Sequence, residues 1–163
     1  MQIPEMITYW NNVRRVTLAF LEAFPAEHLG FRPTPEVYTA LQQFQHLISS
    51  EVMFARGWTD GVWDYPWKDG QWCTTELIDD SFDTLEGLTR FYTDVHARAV
   101  RFLSGLPPDA GSTRLATHMG DLSIDGMVLY AVDEEIHHRA QIATYLRMLG
   151  IKPPLFAQRY HEL

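Results

Sequence analysis

A carboxylate and an imidazole on one predicted helix near the end of the sequence could bind a metal ion. Glu134 and His138 are four residues apart, so on a helix they lie one turn apart on the same face. Two ligands leave an ion under-coordinated, and His46, in the middle of an earlier predicted helix, is the best candidate for a third. Two histidines and one carboxylate leave coordination positions open for water and substrate, as in catalytic zinc and non-haem Fe(II) sites.

Spacing alone leaves other interpretations open. Glu134 and His138 could form only an ion pair on a helix surface, and Asp133 with His137 repeats the same spacing on a neighbouring face. His46 could be a histidine satisfied by hydrogen bonds, and Glu51 either a partner of the ligands or an ordinary helix charge. The remaining histidines are expected to be loop or surface residues: His28, His96, His118 and His161.

The hydrophobic pattern predicts an all-α four-helix bundle with long connections and no strand, formed as a single domain over residues 1–163. The helices are predicted at roughly 4–24, 36–59, 81 or 82–103, and 122–149. Prolines, glycines and capping hydroxyls mark their ends. On the last helix the predicted main apolar stripe lies on the far side from Glu134 and His138, which places that pair at the border of the buried surface. The stripe comprises Val132, Ile136, Ala140 and Ala143.

The connection at residues 61–81, here called the Trp-rich loop, carries Trp63, Trp67 and Trp72 without helical period. A loop this long packs against the bundle or has a function of its own, as a lid or an interface. The second interpretation of the whole protein follows from it: a non-catalytic dimerising or binding protein that uses the Trp-rich loop as its contact surface.

Composition excludes several classes of function. The net charge of -8 would repel phosphate backbones, so nucleic-acid binding is not expected. No apolar run approaches the ~20 residues of a membrane span, and polar residues interrupt any signal-peptide core near residue 1. The single cysteine, Cys73, makes no internal disulfide, so we expect a cytoplasmic protein. Cys73 has no adjacent cationic residue to activate it as a nucleophile.

Taken together, four segments of the sequence resemble the DinB family over nearly the whole chain. They are Phe31-Arg-Pro33, Gln45-His-Leu47, Glu134-Glu-Ile-His-His-Arg-Ala-Gln141 and Tyr145-Leu-Arg-Met-Leu-Gly-Ile-Lys-Pro153. The resemblance implies an up-down-down-up-like bundle of the DinB/YfiT-like type with one long crossover. It also implies a metal held by one ligand from the second helix and two from the fourth, at positions 46, 134 and 138. The family usually has His at 134 and often Gly at 140, where this sequence has Glu and Ala.

The resemblance further implies a metal-dependent enzyme that activates a low-molecular-weight thiol or water, a thiol-dependent S-transferase or a hydrolase-like protein acting on a small molecule. The ion expected is one of Zn, Ni, Fe or Mn, and a homodimer is the expected assembly. Gln141 and Tyr145 continue the ligand stripe and could orient substrate, while no general base is assigned.

The sequence lacks the motifs that two other classes of metalloprotein require. A ferritin-like di-iron site needs Glu-x-x-His on two helices, and here that motif occurs only in the overlapping pairs Glu134/His137 and Glu135/His138. A metalloprotease needs His-Glu-x-x-His, which does not occur.

Overall fold

A computed structural model of the protein describes residues 1–63, 67–68, 71–72, 80–117 and 119–156. Four long helices dominate this part of the chain: α1 (Ile3–Glu22), α2 (Ala40–Asp60), α3 (Leu85–Ser104) and α4 (Ile124–Met148). None of the helices described is long and apolar enough to cross a bilayer.

The helices form the predicted bundle, in which α1 and α2 each pack against both α3 and α4. One apolar core cluster gathers the last half of α1, the first halves of α2 and α3, and the last half of α4. The chain therefore runs up, down, down and up. Because α2 and α3 start at the same end, the connection between them must travel back along the bundle, over ~30 Å for a helix of this length. This geometry requires a long crossover between Asp60 and Leu85.

The core is divided in two along the bundle axis. The first cluster surrounds Phe24, Phe44 and Leu88, and a second surrounds Trp10 and Met127 at the opposite end. Buried charged and polar side chains from all four helices lie between the two clusters. We call them the polar layer: Arg14, Thr17, Glu51, His96, Glu135 and Arg139.

Helix ends are set by capping groups, and two predicted starts are wrong by a few residues. α2 begins at Ala40 rather than near residue 36, because the Thr39 hydroxyl accepts from the Gln42 amide while Gln42 bonds back to the Thr39 amide. α3 begins at Leu85, after a 3-10 turn at Asp80–Asp83, with Thr84 as its cap. Gly61 and Gly150 end α2 and α4 with positive φ angles of 67° and 76°.

The prediction that the chain contains no strand is also wrong. Two short antiparallel hairpins occupy the connections, β1 (Trp67–Lys68) with β2 (Gln71–Trp72) and β3 (Arg114–Thr117) with β4 (Gly120–Ser123). A strand of two to four residues is too short to show an alternating pattern.

Candidate metal centre

α2 presents His46 at the edge of the bundle core, facing α4. Phe44, Leu47 and Ile48 are buried in the apolar cluster, and their packing fixes the rotation of α2. His46 is therefore held at the border of the core, with 12% of its side chain exposed.

Glu134 and His138 lie one turn apart on α4 and meet His46. Oε2 of Glu134 is 3.4 Å from Nε2 of His46 and 3.3 Å from Nε2 of His138. The two imidazole rings are 4.5 Å apart, centroid to centroid. The structure brings all three predicted site residues together. Among the residues described, this is the one group of three or more histidine, cysteine or acidic side chains whose ligand atoms converge in this way.

The separations fit a small divalent ion. Two ligand atoms that are each about 2.0–2.1 Å from one ion at a tetrahedral angle are roughly 3.3–3.4 Å apart. The carboxylate oxygen stands at 3.4 and 3.3 Å from the two imidazole nitrogens. Neutral imidazole and carboxylate together suit Zn, Fe(II), Ni and Mn. Donor type and spacing both agree with a metal centre.

His138 is oriented from behind by Gln43, a buried residue one turn before His46. Oε1 of Gln43 lies 2.5 Å from Nδ1 of His138. An imidazole that donates Nδ1–H keeps its Nε2 lone pair for an ion, the arrangement typical of metal-ligating histidines. Gln141, predicted to orient substrate, instead accepts a hydrogen bond of 2.7 Å from Nε2 of Gln43.

The carboxyl group of Glu134 is held ionised. The close approach of His138, then of His46, lowers its pKa well below the usual value, while partial burial opposes them. A smaller contribution comes from a hydrogen bond with Tyr130. An ionised carboxylate is the form that ligates metals.

Two tyrosines that the sequence analysis did not single out flank the site. The ring of Tyr38, in the connection before α2, lies 5.9 Å from the ring of His46. Tyr130 is one turn before Glu134 on α4, is 39% exposed, and packs edge-on against Phe54 at 5.6 Å. The i–4 position of Tyr130 relative to Glu134 could have identified it from the sequence.

Behind the site, the next residue of α4 belongs to the polar layer. Glu135 is 2% exposed and accepts hydrogen bonds from the Arg14 guanidinium at 2.9 and 3.2 Å. It also accepts from the Trp10 indole at 2.8 Å and the Thr17 hydroxyl at 2.7 Å. The carboxylate is thus fully surrounded by donors.

Arg14 also binds the carboxylate of Glu51, and Oε1 of Glu51 lies 2.9 Å from Nδ1 of His96. Nε2 of His96 lies 2.8 Å from Oδ1 of Asn11. The interpretation of Glu51 as an ordinary helix charge is therefore wrong, since it is 3% exposed. The expectation for His96 is wrong as well, because it is buried between α1 and α2 and not at the surface.

The buried charges of the polar layer balance. Burial acts to raise the pKa of Glu135, but the charge of Arg14 and the surrounding donors outweigh it, and the pKa is lowered. Burial acts to lower the pKa of Arg14, but Glu135 and Glu51 more than compensate and raise it. The layer contains two arginines and two glutamates, all buried.

The site and the polar layer are neighbours. A cavity of about 10 Å³ lies between them, lined by residues that include Ser50, Glu51, Glu134 and Glu135. That volume accommodates the centre of about one water molecule.

The predicted apolar stripe of α4 is partly wrong. Ala140 is exposed and Ile136 only half-buried. The buried face is rotated toward Glu135, Arg139 and Ile142, because polar residues of the layer share it with apolar ones. The predicted border position of Glu134 and His138 is confirmed, with side-chain exposures of 23% and 10%.

The rival pair Asp133 and His137 is exposed, as is His28. Several other predictions fall outside the described residues: those for Cys73, His118 and His161, and those for most of the Trp-rich loop.

Comparison with known proteins identifies the family. The model of the DinB family matches residues 1–163. The chain belongs to the DinB family. It is similar in structure to a DinB-like protein from Bacillus subtilis, with a TM-score of 0.69 and 19% identity over 93% of this chain and 97% of that one. It is also similar to a DinB-like protein from Bacillus cereus, with a TM-score of 0.73 and 16% identity over 94% and 97%. No curated protein matches.

At these identities the likeness to the two Bacillus proteins shows the DinB fold alone. Of the two positions that depart from the usual DinB pattern, 134 and 140, the first supplies the oxygen that lies between the two imidazoles. The carboxylate of Glu134 thus lies within 4.8 Å of both imidazoles, in the one group of potential ligand atoms found among the described residues.

Proposed function

We propose that this DinB protein binds one divalent metal ion through His46, Glu134 and His138. The convergence of their three ligand atoms within 4.8 Å of one another supports the proposal. The ionised state of Glu134 and the orientation of His138 by Gln43 support it further. Zn, Ni, Fe(II) and Mn are the candidate ions, since each accepts imidazole and carboxylate ligands.

We propose further that the site activates a small thiol or a water molecule toward a small-molecule substrate, as in a thiol-dependent S-transferase or a hydrolase. When bound, a divalent ion supplies Lewis acidity that lowers the pKa of water to about 7 and deprotonates a thiol. The protein's own contribution is to bring the two imidazoles together with a charged carboxylate. Tyr38 and Tyr130 flank the site where a substrate would enter.

Metal content tests the first proposal. Protein purified without chelator, and metal-free protein titrated calorimetrically with each candidate ion, should show one ion per chain. His46→Ala and His138→Ala should abolish this binding, and His28→Ala, at an exposed position, is the control. At an ion concentration 100 times Kd the native state gains about 2.7 kcal/mol, or roughly 5–11 °C in Tm for a chain of this size. Binding that persists in both histidine variants would refute the assignment.

A thiol screen tests the second proposal. The metal-loaded protein is incubated with low-molecular-weight thiols and electrophilic substrates, and thiol consumption is followed against the Glu134→Ala variant. Turnover should depend on both thiol and ion. Turnover by the variant at the rate of the native protein would contradict a role for the ion.

The interpretation as a dimerising protein that uses the Trp-rich loop stays a prediction, as do the homodimer and the cytoplasmic location. Light scattering of the native protein and of a variant with Trp67 and Trp72 replaced by Ala measures the assembly directly. A dimer that the variant loses, in a protein that binds none of the four ions, would favour that interpretation.

A further inference from the structure

A chain of three hydrogen bonds connects His138 to the backbone just before α2. Nδ1 of His138 is bonded to Oε1 of Gln43. Nε2 of Gln43 donates to the Tyr145 hydroxyl at 3.4 Å, and that hydroxyl donates to the carbonyl oxygen of Tyr38 at 2.9 Å. The chain therefore joins a proposed metal ligand on α4 to the connection that carries the Tyr38 ring.

The carbonyl oxygen of Tyr38 fixes the donor and the acceptor of every hydrogen bond in this series. A backbone carbonyl can only accept, so the single hydroxyl proton of Tyr145 is committed to Tyr38. The Tyr145 oxygen must then accept from Gln43, which turns the NH2 of the Gln43 amide toward Tyr145 and its oxygen toward His138. His138 has an acceptor at each ring nitrogen, Gln43 Oε1 at 2.5 Å from Nδ1 and Glu134 Oε2 at 3.3 Å from Nε2. The closer contact places the proton of the neutral imidazole on Nδ1.

Because these side chains are buried, water cannot easily replace the hydrogen bonds that fix this orientation. Gln43 is 1% exposed and Tyr145 4% exposed. The Tyr145 ring is packed edge-on against Phe31 at 5.8 Å, which keeps its hydroxyl in place. The Gln43 amide has a second acceptor in Gln141, at 2.7 Å, so both of its protons are used.

We propose that Gln43 and Tyr145 are positioning residues that select the Nδ1–H tautomer of His138 and so keep its Nε2 lone pair directed at the metal position. The Tyr38 carbonyl sets the direction of the chain. This inference rests on the proposed metal site for its function, but the tautomer itself is a property of the metal-free protein. Removing such an outer partner of a ligating histidine lowers metal affinity about 10- to 100-fold.

The tautomer is measured first, by 15N–1H correlation of the imidazole of His138 in metal-free protein at a pH where the ring is neutral. The native protein should show the Nδ1–H form. Gln43→Leu should lose it, and Gln43→Glu should keep it, because a carboxylate also accepts from Nδ1–H. Gln45→Leu, which removes bonds to Phe82 and Asp83 instead, is the matched control and should keep the native form.

Zinc affinity is measured next, by calorimetry with Zn²⁺ alone. Gln43→Leu should bind about 10- to 100-fold more weakly, Tyr145→Phe should fall between it and the native protein, and Gln43→Glu should lie close to the native protein. A merely structural role would lower the Tm of the metal-free variants without changing the tautomer. An Nε2–H tautomer in the native protein, or a tautomer unchanged in Gln43→Leu, would overturn the inference. Absence of zinc binding by the native protein would instead refute the metal proposal and leave the tautomer result to decide the role of Gln43.

Discussion

Two consecutive glutamates of α4 occupy opposite kinds of polar environment. Glu135 points into the polar layer, where Arg14 supplies a cation and Trp10 and Thr17 supply further donors. Glu134 points to the edge of the bundle, where its partners are two imidazoles at 3.3 and 3.4 Å. One carboxylate has its counter-charge built into the chain, and the other is placed where an ion from solution can supply it.

The comparison suggests that the two glutamates affect different properties of the protein, its stability and its affinity for a metal ion. A buried charge whose partner is removed is strongly destabilising, because the remaining charge stays in a medium of low dielectric. The metal centre is less buried than the polar layer, with side-chain exposures of 10–23%, so an unpaired charge there costs the fold less. The polar layer should therefore govern the free energy of unfolding, and the metal centre should govern affinity for the ion.

The largest effect is expected from Arg14→Met, which leaves Glu51 and Glu135 buried without their cation. We expect a loss of about 3–5 kcal/mol, or roughly 6–20 °C in Tm, measured by thermal unfolding of metal-free protein. Arg15→Met, at the adjacent exposed position, should lie within about 0.5 kcal/mol of the native protein. Equal losses in the two variants would show that the polar layer is not a stabilising unit.

The next prediction compares one variant at each glutamate, and expects one to affect mainly stability and the other mainly zinc affinity. Glu135→Gln should destabilise the metal-free protein by about 1.5–3 kcal/mol, because hydrogen bonds to a charged acceptor are weakened, and should leave zinc affinity nearly unchanged. Glu134→Gln, at a less buried position, should destabilise the metal-free protein by less than Glu135→Gln does. It should weaken zinc binding by at least about 100-fold, more than the loss of an outer partner. Urea unfolding measures the stability of both variants, and calorimetry measures their zinc affinity. If both variants lost stability and zinc affinity to the same extent, the two glutamates would not have distinct roles.

The pH dependence of the free energy of unfolding should show the contribution of Glu135 to stability. The pKa of Glu135 is lowered in the folded state, so its contribution is complete above the unfolded value of about 4.3 and is lost as the pH falls from there through the lowered value. The free energy of unfolding, measured in urea between pH 7 and pH 3, should fall with pH in the native protein and fall less steeply in Glu135→Gln. Parallel curves would contradict the lowered pKa.

The smallest effect is expected from the rival pair. Asp133→Asn with His137→Gln changes two exposed side chains, and we expect less than about 0.5 kcal/mol in stability and no loss of zinc affinity. Weakened zinc binding in this double variant would move the metal centre to the neighbouring face of α4.

The metal centre was predictable from sequence because its ligands follow helical spacing and a family pattern. The polar layer was not, since its members come one or two from each helix and no spacing relates those on different helices. A signal was nonetheless present in α1: Arg14 lies on the same face as Trp10, Val13 and Thr17, in an otherwise apolar stripe. An arginine within the buried stripe of a predicted bundle helix predicts a buried acidic partner.

The helices themselves were predictable to within a few residues, but the connections were not. The start of α2 depends on the reciprocal bonds of Thr39 and Gln42, which the period of the apolar residues does not reveal. The hairpin of β3 and β4 depends on a turn at Gly120, whose φ is 97°, and its strands are too short for periodicity to register.

The ligands of the metal centre are far apart in the chain, with a sequence separation of 88 positions from His46 to Glu134. A nascent polypeptide that ends before α4 therefore carries only one of the three, and it can take up no ion at this position. Because α4 must dock against α2 to complete the site, the ion should bind only at the end of folding. An ion that binds only the folded bundle would shift the folding equilibrium toward the native state by mass action.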